Sequence, residues 1–471
     1  MNGRLAAAFI SFISITLFCG LDIYAAAGTP IPDKIQDLVR MSGNMDLVGT
    51  VTVEKEGILI IEKGSHINAG KDSGIIVFGK LEITGTVKER VIIKGRENTQ
   101  WNGISLYSGS KGEITGSDIL DAKTALSILA ARVSVETSLI KGSKTGAYLA
   151  NEAISEFNGV RFESNQVGIA AELKSRSQIT GCTFVQNKVG IGVASGALPQ
   201  IINNRFQENK FGIQVRQRFP GVIQGNVLVK NDVGLRLYQN GPDTIVEKNL
   251  FLENRQSAVV AESFSSPKII NNRIKGGRFG IFASQFSSPV IRNNSLSRLE
   301  EAIHLNKKNV SVIRDNVLSR SDVGIFFDFS SYPVVKNNFF DRNSKHIKLG
   351  RFQSSHWEAS AGSKKYIMAN ASRIGSRNPR LAESSDDFPE TVDATGNLWD
   401  KKTLREIDQK GPDANISTLF DGYDLNEVTY EGFGDKKYRI DKIRYVPMLS
   451  DPEEKIGLLD WNGEEDELKA P

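Results

Sequence analysis

The sequence predicts an all-β chain wound into a parallel β-helix, a solenoid of 22-residue coils with three short strands each. Two ladders of residues and one alternation predict it. A small residue followed by apolar alternation returns at Gly103, Ala125, Gly146, Gly168, Gly190, Gly212, Gly234, Ala258, Gly280, Ala302 and Gly324, with His346 next in register. The spacings run from 21 to 24 residues and are mostly 22. A second ladder, Asn204, Asn226, Asn249, Asn272, Asn294, Asn316 and Asn338, keeps step with the first. Apolar residues flank it, such as Ile202 and Ile270 before and Phe206 and Leu318 after. One coil thus reads Gly-Ile-x-Val, then x-Ile-x-Asn, then x-Phe.

Each element has a physical reason. Alternation of period 2 within such short runs excludes a helical solenoid, and the leucine pattern of leucine-rich repeats is absent. Each strand then pairs with its copy one coil away, about 4.8 Å off, so twelve coils span roughly 55 Å. An asparagine at a bend can bond both a backbone group and the asparagine of the next coil, which satisfies polar groups that would otherwise be buried unpaired. Cys182 lies 22 residues before Asn204. It reads as a small buried residue in that column rather than a reactive thiol.

The stretch 101–349, carried by the Gly-Ile-x-Val and Asn-x-Phe elements, resembles the parallel β-helix repeat proteins of the pectin-lyase-like group. Gly57-Ile-Leu-Ile-Ile-Glu-Lys-Gly, Gly79-Lys-Leu-Glu-Ile-Thr-Gly and Trp101-Asn-Gly-Ile are similar to the opening of exported bacterial members. Gly396-Asn397-Leu398-Trp399 and Tyr445-Val-Pro are similar to their closing segment, with Leu398 and Asp400 where the family usually has Trp and Gly. The resemblance implies a right-handed helix, in line with the general handedness of parallel crossovers. It implies no single activity. The group includes polysaccharide lyases and hydrolases, binding and surface proteins, and a periplasmic factor that helps mature the copper site of nitrous oxide reductase.

Residues 1–27 read as a cleavable export signal: Arg4, an apolar run, then Ala25-Ala26-Ala27. Phe18 before Cys19 disfavours a lipoprotein, and no other run is long and apolar enough to span a bilayer. Export to the periplasm or the cell surface is expected. The remainder divides into an N-terminal cap with opening coils (28–100), the regular helix (101–349), an insertion (350–395), a closing coil and cap (396–450) and an acidic tail (451–471). Residues 44–100 are expected to form irregular coils, and the tail to shield the open end of the solenoid. With one cysteine left after cleavage, stability must come from stacking. A net charge of +4, from 59 basic and 55 acidic residues, is too balanced to argue for nucleic acid.

Candidate functional residues lie on the outward face of the Gly-Ile-x-Val strands, at the second and fourth places after each register residue. Up to Ala194 this face is bland. From Gln214 onward it carries Gln214, Arg216, Arg236, Tyr238, Glu262, Phe282, His304, Asn306, Phe326 and Asp328, and nearby loops add Phe219, Phe264, Phe286, Phe329 and Tyr332. Aromatic and hydrogen-bonding groups in a row suit an extended ligand such as a polysaccharide, held without catalysis. A polysaccharide lyase or glycoside hydrolase on the same face is the alternative, with Arg216, Arg236, Glu262, His304 and Asp328 as catalytic candidates. Glu262 and Asp328 sit three coils apart, roughly 14 Å, beyond the 5–9.5 Å of a paired-acid site. A third reading is an envelope structural or maturation factor that meets a partner protein through the 350–395 insertion. The four histidines, His66, His304, His346 and His356, share no ligand spacing, and no metal or cofactor site is predicted.

Overall fold

Runs of three to six extended residues, broken by tight bends, carry the chain through three faces per coil. A representative coil consists of Gln200–Ile202, Arg205–Gln207 and Phe211–Arg216. These pair in parallel with Val222–Gln224, Val227–Val229 and Val233–Tyr238 of the next coil. The computed structural model describes residues 21–24, 31–361, 389–429, 437–451 and 455–459. Its first ladder has 15 strands; the other two ladders merge where Leu250–Glu262 and Arg273–Ser284 run straight through a bend. The fold is the predicted right-handed parallel β-helix.

Inward side chains fill the solenoid. Ile201, Phe206, Ile213 and Val215 of that coil are fully buried. Phe162, Phe184 and Phe206 stack face to face at centroid spacings of 5.0 and 4.8 Å. The register residue is usually glycine because the coils approach closely there. A Cβ on Gly168 would lie 2.5 Å from the carbonyl oxygen of Gly190 and 2.9 Å from the Phe184 ring.

The asparagine ladder is continuous from Asn204 to Asn397. The Asn204 main-chain N–H donates to Asn226 Oδ1 at 2.9 Å, and Asn204 Nδ2 donates to the same oxygen at 3.1 Å. The same pair of bonds recurs down to Asn338 and Asn397. Cys182 begins the column, its N–H donating to Asn204 Oδ1 at 2.9 Å. Burial pushes its thiol up to about 11. A second ladder runs along the next bend through Asn165, Asn187, Asn209, Asn231 and Asn254, with the same double bonding. It lies in register with the first, and reading one asparagine column alone passes over it.

The opening stretch is more regular than expected. Leu38–Ser42, Asn44–Leu47 and Thr50–Val53 already form a full coil. Of residues 1–27, only Leu21–Tyr24 is described, paired with Leu38–Ser42. At the far end Leu398–Trp399 and Leu419–Phe420 continue two ladders, and a helix forms at Lys401–Lys410, capped by Asp400. The insertion begins with a helix, Ser355–Ala361, and 362–388 lie outside the described residues. The described part of the acidic tail, 455–459, does not cover the open end; it runs back along one bend. Among the described residues no helix is long and apolar enough to cross a membrane.

Candidate functional site

The outward face of the Gly-Ile-x-Val ladder is built as its alternation dictates. Its central column reads Tyr148, Ala170, Gly192, Gln214, Arg236, Val260, Phe282, His304, Phe326 and Lys348, each directly beside the next. Just after Tyr148 the side chains of this column nearly vanish. Ala170 and Gly192, with Ala194 in the neighbouring column, leave a low floor between Tyr148 on one side and Gln214 and Arg236 on the other.

That floor is the base of a cleft of about 390 Å³. Val167, Val189 and Phe211, which precede three register glycines, form one long wall. Glu172 and Arg216 stand on the opposite side, and Gln166 and Lys188 complete the rim. Apolar carbon below and hydrogen-bonding groups around the edge make an amphipathic trough.

The charged groups differ in freedom. Arg236 Nε donates to Glu262 Oε1 at 2.7 Å, its Nη2 bonds the same oxygen, and the guanidinium lies 5.7 Å from the Phe211 ring centre. The pair fixes the end of the cleft. Arg216 is exposed; among the described residues it makes no ion pair, and its Nη2 donates to Gln214 Oε1 at 3.4 Å. Tyr148 donates its hydroxyl to Glu172 Oε2 at 3.5 Å, and burial together with that carboxylate raises the phenol's pKa.

Of the ten residues expected to bind ligand, Gln214, Arg216 and Arg236 line the cleft. Tyr238 is exposed on the same strand as Arg236 but outside the cleft lining, and Glu262 serves Arg236. Phe282, His304 and Phe326 form one stack, with ring centres 4.7 and 4.8 Å apart. The stack covers both faces of His304. His304 Nδ1 is also held by Glu301 at 2.6 Å. Burial raises the pKa of Asp328, whose carboxylate accepts the main-chain N–H groups of Phe329 at 2.9 Å and Phe352 at 2.8 Å; it organises the loops around it. Asn306 is half-buried beside them.

The loop aromatics behave likewise. Phe264 and Phe286 stack at 5.2 Å, Phe329 stacks on Phe352 at 4.5 Å, Phe219 is buried, and Tyr332 donates to Asp441 Oδ2 at 2.7 Å. The residues that shape the cleft most, Ala170, Gly192 and Ala194, belong to the half of the face that reads as bland. Their signal was the run of smallest side chains in the outward columns.

No curated protein matches the chain. Its fold is similar to that of the periplasmic alginate epimerase AlgG, at 14% identity and a TM-score of 0.38 over 64% of this chain and 77% of that one. A PL6 alginate lyase in complex with a trisaccharide matches at 12% identity and 0.36 over 67% and 84%. The tailspike protein of E. coli bacteriophage HK620 matches at 10% and 0.29 over 70% and 71%. At these values the likeness is one of fold. A family relationship is found in the sequence itself: residues 56–268 and 221–375, more than half of the chain, match the family described as periplasmic copper-binding protein (NosD), and the chain belongs to that family.

Proposed function

We propose that this protein binds an extended ligand, a polysaccharide segment, in the cleft over Ala170, Gly192 and Ala194, and holds it without catalysis. The observation that carries the reading is the trough itself: an apolar floor on two adjacent coils, in a gap of roughly 14 Å between Tyr148 and Gln214 on the strand spacing, rimmed by Gln166, Glu172, Lys188, Gln214 and Arg216. Sugar rings offer apolar C–H faces and a border of hydroxyls, which fit a flat carbon floor with polar edges. The volume of about 390 Å³ falls in the range of small-molecule sites.

The catalytic alternative finds less support in the same side chains. Glycoside hydrolysis takes two carboxylates across the scissile bond, and Glu172 is the one carboxylate on the cleft lining. Of the candidates for a base, Arg236 is bound to Glu262 and His304 is stacked and bound to Glu301. Arg216 remains, and a guanidinium seldom gives up its proton.

Copper, named in the family's description, does not fit the side chains described. Cys182 is sealed in the asparagine column, and Met41 and Met45 are core residues. His66, His304, His346 and His356 lie on separate coils or on the insertion's helix, and among the described residues no three His, Cys, Asp or Glu side chains gather around a point.

The test is a polysaccharide array with the exported chain, read for binding and, in parallel, for new reducing ends or unsaturated sugars. Binding without product supports the reading. Product formation would put the lyase or hydrolase first. No binding to any glycan would remove both and leave a protein partner.

A further inference from the structure

The tail segment 455–459 occupies a second site, unrelated to the cleft, on the bend between the first two strands of each coil. The inner asparagines there, Asn272 and Asn294, are consumed by the ladder. The residues before them, Asn271 and Asn293, have positive φ, both 53°, and carry their amides outward. Left-handed backbone accounts for asparagine at such a bend, but not for what the amides do. Asn271 Nδ2 donates to the Leu459 carbonyl at 2.6 Å, and its Oδ1 accepts the Leu459 N–H at 2.6 Å. One side-chain amide thus reads both backbone polar groups of one residue, as a neighbouring strand would. Asn293 Nδ2 donates to the carbonyls of Lys455 at 2.9 Å and Gly457 at 3.2 Å.

Between the two clamps the site is selective. The Gly457 N–H donates to the Asp315 carbonyl at 2.8 Å. Gly457 is buried with φ at +85°, and a Cβ there would lie 3.0 Å from Val317 Cγ2. Asp315 is itself held rigid by Arg292 and by Asn337, at 2.7 and 2.6 Å. Ile456 and Leu458 on either side are half-buried. The groove therefore recognises a backbone that bends at a left-handed glycine between two apolar residues.

We infer that this bend is a peptide-docking groove for a partner protein that presents an apolar–Gly–apolar segment bent at its glycine, and that the chain's own tail is its resident, displaceable occupant. Among the described residues five hydrogen bonds hold 455–459, and Leu459 is still 37% exposed. Tethering nonetheless gives the tail a high effective concentration, so a free peptide competes poorly until the tail is unseated.

The experiment uses the full chain and a labelled synthetic peptide of residues 453–461, followed by fluorescence anisotropy. Gly457→Val in the chain should unseat the tail and tighten binding of the wild-type peptide by at least about tenfold over the unaltered chain, the effect of removing a tethered competitor. Adding Asn271→Ala and Asn293→Ala should abolish that gain, and a peptide carrying Val in place of Gly should not bind. A Gly457→Val chain that keeps its circular dichroism and melting temperature yet shows no gain overturns the inference. So does equal binding of the Gly and Val peptides.

Discussion

Arg236 and Glu262 are joined across one coil, with Arg236 Nε donating to Glu262 Oε1 at 2.7 Å. The two sit in different outward columns, so the bond crosses the face diagonally and closes one end of the cleft. It turns two residues that read as catalytic candidates into one positioning pair. Their side chains are 34% and 15% exposed, so solvent still screens the bond. Glu262→Gln should change stability by less than about 1 kcal/mol in chemical denaturation. Binding in the cleft should weaken nonetheless, since an unpinned guanidinium must be ordered by the ligand.

The asparagine ladder should dominate local stability. Asn249→Ala removes the oxygen that accepts both the main-chain N–H and the Nδ2 of Asn226, each at 3.0 Å in a fully buried site. Asn226 Nδ2 keeps the carbonyls of Ile201 and Gln224, but the main-chain N–H is left unpaired, at a cost of about 1–3 kcal/mol. A melting temperature lower by several degrees, seen by calorimetry, is the expected result.

Cys182 makes the opposite prediction. Its thiol lies 3.4 Å from the Phe157 carbonyl oxygen and 3.5 Å from that of Thr180. Asn204 one coil on donates its Nδ2 to the corresponding carbonyls of Ile179 and Ile202. Cys182→Asn should extend the ladder by one step and stabilise the chain by about 1 kcal/mol. In the unaltered protein the buried thiol, with its pKa pushed up to about 11, should resist alkylation until the chain unfolds.

His346 supplies a pH dependence. Its Nε2 bonds Thr403 Oγ1 at 3.0 Å and lies 3.4 Å from Asp400 Oδ2, and Nδ1 meets Asn343 at 3.3 Å. Burial lowers its pKa from 6.5 to about 4, outweighing Asp400 and Asp341, which act to raise it, while Lys402 adds to the lowering. The unfolded chain therefore binds the proton first. Stability contributed by the neutral ring is present above pH 6.5 and is lost as pH falls from 6.5 towards 4. The loss amounts to about 3 kcal/mol at its fullest. Denaturation curves across that window should show a shallower slope for His346→Asn than for the parent chain.

Much of the fold was legible because its residues repeat. Gly168, Gly190 and Gly212 recur where coils crowd, and Asn204 to Asn338 recur where a bend would strand polar groups. The site was harder to see, for two reasons. Phe282, His304 and Phe326 looked like a binding row, but at one coil spacing flat rings satisfy one another first. Ala170, Gly192 and Ala194 looked empty, and emptiness becomes a cleft only beside taller neighbours such as Tyr148 and Arg236. Asp328 carries no mark in the sequence of the loop amides it receives, since Phe352 lies 24 residues away.

The most direct measurement fills the cleft without touching the fold. A Cβ built on Gly192 meets nothing closer than Val189 Cγ1 at 3.9 Å, and the position faces outward on a strand. Gly192→Trp should therefore fold and melt like the parent while occupying the floor. Titration calorimetry against the glycan that binds the parent chain should show affinity lower by at least about tenfold, the roughly 1.4 kcal/mol that such a factor represents. Equal affinity in a folded Gly192→Trp chain would contradict a ligand seated over Ala170, Gly192 and Ala194.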